Sequence, residues 1–371
     1  MFSYWEKNFW FSDCDFAVIG SGIVGISTSI ELKKRYPNKS VVVIESGIMP
    51  TGASTKNAGF ACFGTVGEIL DDLKTQTREE VKQTITMRWE GLKLLKEVVS
   101  LKEMNYRSLG GAEVFADKIA FDHCEANLED INQLIYESIG VEDVIGSSKQ
   151  DFSTGIYSHI LFNKYEGQLN PVLMMRTLMK KAIGLGVEII NNFKVDTFED
   201  SGEYVNIKLD RNMSMKARQL IVCTNAFSKA LLPQVDVIPA RNQVLVTKPI
   251  DNLKFKGTFH YDRGYVYFRN IGNRLLIGGA RNLDEKIEQT LDFGENHHII
   301  NHLKAFVGEK LNISTFEVEK KWSGIIATGL SKKPHIERVS ENVYTALRLG
   351  GMGVAIGSKV ANEVVKMINL T

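Results

Sequence analysis

Three kinds of hydrophobic pattern alternate along the chain. The first is a pair of short unbroken apolar runs, 16-FAVIG-20 and 41-VVVIE-45. Runs of this length read as parallel strands buried on both faces. Between them a helical pattern runs to about Tyr36 and stops at Pro37. The second kind is the 3.6-residue period. It predicts helices over 68–103, 125–139 and 171–186, the last followed by an apolar strand, 187-VEII-190. It returns near the end, where Val360, Val364 and Val365 form an apolar stripe. The third kind is alternation with period two in 241-RNQVLVTKP-249, 258-TFHYDRGYVYFRN-270 and 273-NRLLIGGA-280. Rich in Val, Tyr and Phe, these segments predict a half-buried antiparallel sheet. Together the patterns predict an α/β fold: a Rossmann-like domain with a second, α+β domain carrying the antiparallel sheet.

Length supports two units, since 371 residues exceed what one core usually holds. Composition is ordinary for a globular protein, 44% apolar and 24% charged. The net charge of +1 offers no basic surface, so nucleic acid is not the expected partner. Four cysteines, Cys14, Cys62, Cys124 and Cys223, form no CxxC pair, which disfavours zinc ribbons and thioredoxin chemistry. The opening MFSYWEKNFWFSDCD does not read as a secretory leader, and no apolar stretch reaches membrane-span length. A reduced, cytoplasmic setting is expected.

The strand–turn–helix at the start carries chemistry. Gly20, Gly22 and Gly25 form a full GxGxxG in GSGIVG. Gly20 permits the tight turn out of the strand, Gly22 lets backbone approach a pyrophosphate, and Gly25 lets helix and strand pack closely. The helix start directs free N–H groups and partial positive charge at the phosphates. Glu45, 20 residues past Gly25 at the tip of the second strand, stands where an acid accepts hydrogen bonds from a ribose diol. NAD and FAD both satisfy this grip. The next segment, 50-PTGASTKNAGFACFGT-65, is rich in small polar residues that wrap a ligand rather than bury a core face.

GSGIVG, then IE, then GASTKNAG resembles the D-amino-acid oxidase superfamily of FAD-dependent oxidoreductases, in its glycine, sarcosine and glutamylputrescine oxidase branch. The aromatic prelude 4-YWEKNFW-10 is similar to the last of these, and 220-LIVCTNAFS-228 and 345-TALRLGGMGVAIGSKVANEVVKMI-368 resemble later cofactor-binding segments. The resemblance implies non-covalent FAD. It assigns contacts to Gly20, Gly22, Ile23, Val24, Gly25, Glu45 and Ser46. It extends them to Gly52, Ala53, Ser54, Asn57, Ala58 and Gly59 in the loop. Val195, Thr224, Asn225 and Ala226 follow in the middle, and Gly350, Gly351, Met352, Gly353 and Val354 at the end. It also implies a discontinuous division: 1–66, 161–234 and 321–371 for FAD, 67–160 and 235–320 for a substrate or cap domain.

The implied activity is oxidation of a C–N bond in an amine or amino acid by hydride transfer to flavin N5, with hydrolysis of the imine. Oxygen or another acceptor takes the electrons. Removal of a carboxymethyl group from a tRNA wobble uridine, or oxidation of a 2-hydroxy acid on the same fold, stand as alternatives. Tyr265, Tyr267 and Arg269 alternate along one strand, so all three face one side, as a substrate-holding set or as a plain sheet face. The resemblance points further to Arg241, with Gln243, at the domain boundary and to Arg348 before the GGMG turn as a carboxylate grip. Relatives of the glycine oxidase kind carry another arginine where this chain has Ile325 and Ile326, which argues for a larger, more apolar or less anionic amine. Lys56 and Lys248 are lysines to locate relative to the cofactor. His297, His298 and His302 lack acidic or cysteine partners at motif spacing, so no metal is expected.

Overall fold

A computed structural model describes residues 2–150 and 154–369. Two eight-stranded sheets hold most of the β-structure among the described residues. The first is built around the strand Cys14–Ile19. It pairs in parallel with Val41–Glu45 on one side and Met213–Val222 on the other. Val187–Asn191 extends the sheet beyond Val41–Glu45, and Val343–Leu347 extends it beyond Met213–Val222, both in parallel. The strand His335–Arg338 and the meander Val195–Asp200, Val205–Leu209, Met213–Val222 add antiparallel edges. Residues 16–19 and the strand Val41–Glu45 are buried at every position, which explains their unbroken apolar runs.

Helix Ile23–Arg35 leaves the first strand through Gly20, whose φ of +99° suits only glycine. A Cβ on Gly25 would lie 1.8 Å from the Gly20 carbonyl oxygen, so that contact also demands glycine. The helix ends with Tyr36 as its cap, one residue before Pro37. Helix Gly353–Met367 lies against it and against Arg78–Val98. Val360 and Val364 are fully buried and Val365 nearly so, as the stripe predicts.

The expected helix over 68–103 is two helices, Val66–Asp72 and Arg78–Val98. Thr77 and Glu80 break it by forming a capping box that starts a new helix. The first long insert also contributes strands, Gly111–Val114 and Ile145–Lys149. Too short or too polar to show a period, they are invisible to the pattern.

These strands join the second sheet. Its order is Val318–Thr328, Ile238–Thr247, Arg274–Gly279, Val266–Ile271, Thr258–Tyr261, Gly111–Val114, His159–Asn163, Ile145–Lys149. Neighbours are antiparallel except Thr258–Tyr261 with Gly111–Val114. One face packs on helix His297–Ala305 through Phe255, Phe259, Phe268 and Ile277. A row across the other face runs Trp322, Val244, Gly278, Tyr267, His260, Glu113. It looks toward the 50–65 loop, where Ala58 and Phe60 pack on it. Helix Tyr4–Trp10, with a Ser3–Glu6 capping box, leaves Tyr4, Trp5 and Phe9 exposed. No helix among the described residues is long and apolar enough to cross a membrane.

Candidate active site

Two cavities meet between the sheets. One, of about 220 Å³, lies over the carboxyl ends of the first sheet's central strands. The other, of about 280 Å³, continues from it toward the second sheet. Ala53, Asn57, Ile326, Gly351 and Val354 line both. A crevice beyond the carboxyl ends of parallel strands is where α/β sheets bind nucleotides.

The first cavity collects Gly20, Gly22, Ile23, Val24, Glu45, Ser46, Gly52 and Ser54 with Thr224, Asn225 and Gly353. Two helix starts open into it, at Ile23 and at Gly353. Neither has a cap from its own N-cap side chain or an acid in its first turn, so both present positive ends to an anion. Glu45 is buried, accepting from Ser21 N–H at 2.9 Å, Ser21 Oγ at 2.8 Å and Gly47 N–H at 2.9 Å. Ser54 Oγ accepts the Ile23 N–H at 2.9 Å and ties the loop to the helix start. Thr224 Oγ1 is buried without a hydrogen-bond partner, a polar group awaiting a ligand. These residues suit a dinucleotide's diol and pyrophosphate. Pro50, Met174, Phe227 and Phe293 add to the wall; Pro50 and Phe227 fall in segments the sequence had marked, whereas Met174 and Phe293 carried no signal there.

Three of the expected cofactor residues lie outside both cavities. Gly25 serves the strand–helix contact. Val195 and Ala226 are buried in the core behind the first sheet. Ala58, Gly59, Gly350 and Met352 line the second cavity.

Of the substrate-side residues, Tyr265 and Tyr267 line the second cavity. Burial pushes the Tyr267 phenol up to about 12, so it stays protonated as a donor. Phe60 stands edge-on to both Tyr267 and His260, which are directly opposed across two strands. Arg269 passes beneath the cavity, donating from Nη1 to the carbonyls of Gly59 at 3.2 Å and Leu169 at 3.0 Å. Without a carboxylate partner, burial pulls it down to about 10.

Arg241 and Arg348 lie elsewhere. Arg241 makes a two-pronged ion pair with Glu288, at 3.1 and 2.9 Å, and Gln243 joins the same carboxylate at 3.0 Å. Their strand alternates, so Asn242 and Val244 face the cavity instead. Arg348 is buried against Asp236 and donates from Nε to the Lys333 carbonyl at 3.0 Å. It staples the chain before the GGMG turn.

Lys56 lines the second cavity with Nζ 5.0 Å from the Phe293 ring centre, while Lys248 is an exposed partner of Glu317. The exposed His298 pairs with Asp284 at 2.9 Å. Cavity residues missed in the sequence include Cys62, Glu68, His260, Arg263 and Arg281. Glu68 meets Arg88 at 2.8 Å; burial opposes its charge, but Arg88 outweighs that and holds it below the usual carboxylate value. Arg263 and Arg281 are paired with Asp262 and Glu285.

A family model described as FAD dependent oxidoreductase matches residues 15–367. A probable oxidoreductase, OrdL, from Haemophilus influenzae is 24% identical over 358 residues, covering 92% of this chain and 80% of that protein. Gamma-glutamylputrescine oxidoreductase from Escherichia coli is 22% identical over 359 residues, with the same coverage of each chain. Among solved structures, L-proline dehydrogenase from P. horikoshii superposes with a TM-score of 0.76 at 16% identity, covering 96% of this chain and 93% of that one. Glycine oxidase from Geobacillus kaustophilus gives 0.74 at 16%, covering 96% of both.

Proposed function

Since the chain belongs to the FAD-dependent oxidoreductase family, we propose that it oxidises the C–N bond of a small amine or amino acid in the second cavity. The observation that carries this reading is the continuity of the two cavities. The residues of the first cavity would hold the phosphates and ribose of FAD, and Tyr265, Tyr267, Phe60 and Glu68 line the second cavity, where a substrate would meet its ring. FAD, when bound, supplies the two-electron acceptor for the hydride that leaves the carbon next to nitrogen.

The chain's residues do the rest. Phe60, Val244 and Ile326 make an apolar wall that keeps water from the reacting carbon. Tyr267 donates its phenolic proton to a substrate acceptor, and Tyr265, 38% exposed, does so from the rim. Glu68, ion-paired with Arg88, offers a carboxylate oxygen as a hydrogen-bond acceptor to the amine N–H. The three arginines expected to hold a carboxylate are bound to Glu288, to Asp236, and to two carbonyls. That distribution favours an amine with little carboxylate near its reacting nitrogen.

The test is the visible spectrum of the purified protein, followed by anaerobic addition of amino acids, polyamine derivatives and 2-hydroxy acids. Flavin bands should bleach with an amine class. Bleaching by hydroxy acids alone would overturn the C–N reading. Air reoxidation with peroxide release would then identify oxygen as the acceptor.

A further inference from the structure

Behind the second cavity, the two-stranded ribbon Phe60–Ala61 with Gly167–Gln168 sets Cys62 beside Glu166, and both face His260 on the large sheet. Cys62 Sγ, a Glu166 carboxylate oxygen and a His260 ring nitrogen lie within 4.8 Å of one another, and all three residues are buried. His260 is 8% exposed, and its Nε2 has no hydrogen-bond partner. That nitrogen is 3.4 Å from Glu166 Oε2. A charge-assisted hydrogen bond would close to about 2.8 Å and align. Two ligands of one tetrahedral zinc, each bonded at about 2.0–2.1 Å, stand about 3.3 Å apart.

We propose that Cys62, Glu166 and His260 form a three-ligand site for a zinc-like divalent cation, with its fourth position open to the second cavity. Thiolate, imidazole and carboxylate are the donor set of a borderline-soft ion. A thiolate and a carboxylate carry two negative charges, and a divalent ion balances them. Glu166 is held ready: its Oε1 accepts from Phe63 N–H at 3.0 Å and Asn163 Nδ2 at 3.5 Å, which leaves Oε2 for the cation. Burial, reinforced by Glu166 and Glu68, pushes the Cys62 thiol well up, so metal entry must displace its proton. Cys62 and His260 both line the cavity, which gives the ion its path. The site stands apart from the amine-oxidation reading, because its evidence is a binding geometry and its test needs no substrate.

The experiment is zinc titration of the flavin-loaded protein, with elemental analysis after dialysis and X-ray absorption at the zinc edge. We expect about one zinc per chain, with one sulfur ligand near 2.3 Å and lighter ligands near 2.0 Å. Cys62→Ala and His260→Gln should each weaken zinc binding at least ~100-fold, and Glu166→Gln ~10-fold or more. The absence of saturable binding overturns the site. So does bound zinc with only nitrogen and oxygen ligands, a readout on the unaltered protein that needs no variant to fold. Affinity unchanged in both Cys62→Ala and His260→Gln overturns it as well.

Discussion

At the scale of single residues, the arginines explain most of what the site can and cannot do. Arg348 bonds Asp236 and the Lys333 carbonyl rather than the cavity, so Arg348→Ala should act on stability. Asp236 is 34% exposed, so water softens the loss, and about 1–2 kcal/mol is expected. Thermal melting should fall while KM for the identified substrate stays within about twofold; a KM rise of tenfold or more at unchanged melting would return Arg348 to the substrate. Glu288 gives a pH-dependent counterpart. Burial works against its charge, but Arg241, Gln243 and Asn296 together hold it below the usual carboxylate value. A depressed folded value means the stabilisation is present above the unfolded carboxylate range and is lost as pH falls through the folded one. Glu288→Gln should therefore cost about 3 kcal/mol near neutrality, where Arg241 loses its partner, and much less in acid. Melting curves at pH 7 and at a pH well below the folded carboxylate's own titration decide it, and an equal deficit at both would refute the linkage. None of these pairings was legible in the sequence. Alternation said that Arg241 and Gln243 share a face, but Glu288, 47 residues away from Arg241, decides which face that is.

At the scale of elements, legibility tracked locality. GSGIVG, Glu45 and the 52–59 loop were readable because strand, turn and helix chemistry acts over a few residues. The terminal helix was readable from its stripe. The break between Asp72 and Arg78 was also written locally, as Thr77 followed by Glu80, and the continuous apolar period masked it. Long-range partners were not readable. Cys62, Glu166 and His260 meet only because a two-residue ribbon crosses under a large sheet, and no spacing rule joins them. Helix contact yields a prediction at this scale. A Cβ on Gly91 would lie 2.0 Å from the Ala355 carbonyl oxygen, a backbone atom with no rotamer to yield. Gly91→Leu should push the terminal helix off Arg78–Val98, lower melting by several kcal/mol and reduce bound flavin. Full flavin content with unchanged melting would show that the two helices are not so tightly seated.

At the scale of the molecule, the first cavity is assembled from segments that sequence places far apart. Gly22, Ser54, Thr224 and Gly353 line one cavity. The second sheet likewise draws strands from both long inserts, and only the later insert showed its period in the sequence. This interleaving gives the order of biosynthesis a physical meaning. Gly22 and Gly353 are separated by roughly 330 residues, which take on the order of half a minute to translate. During that interval a nascent chain has the helix that begins at Ile23 but lacks the one that begins at Gly353. The first cavity is therefore complete only after residue 353 and the helix that follows it have emerged. The early apolar strand Cys14–Ile19 waits first for its neighbour Met213–Val222, and that strand in turn waits for Val343–Leu347.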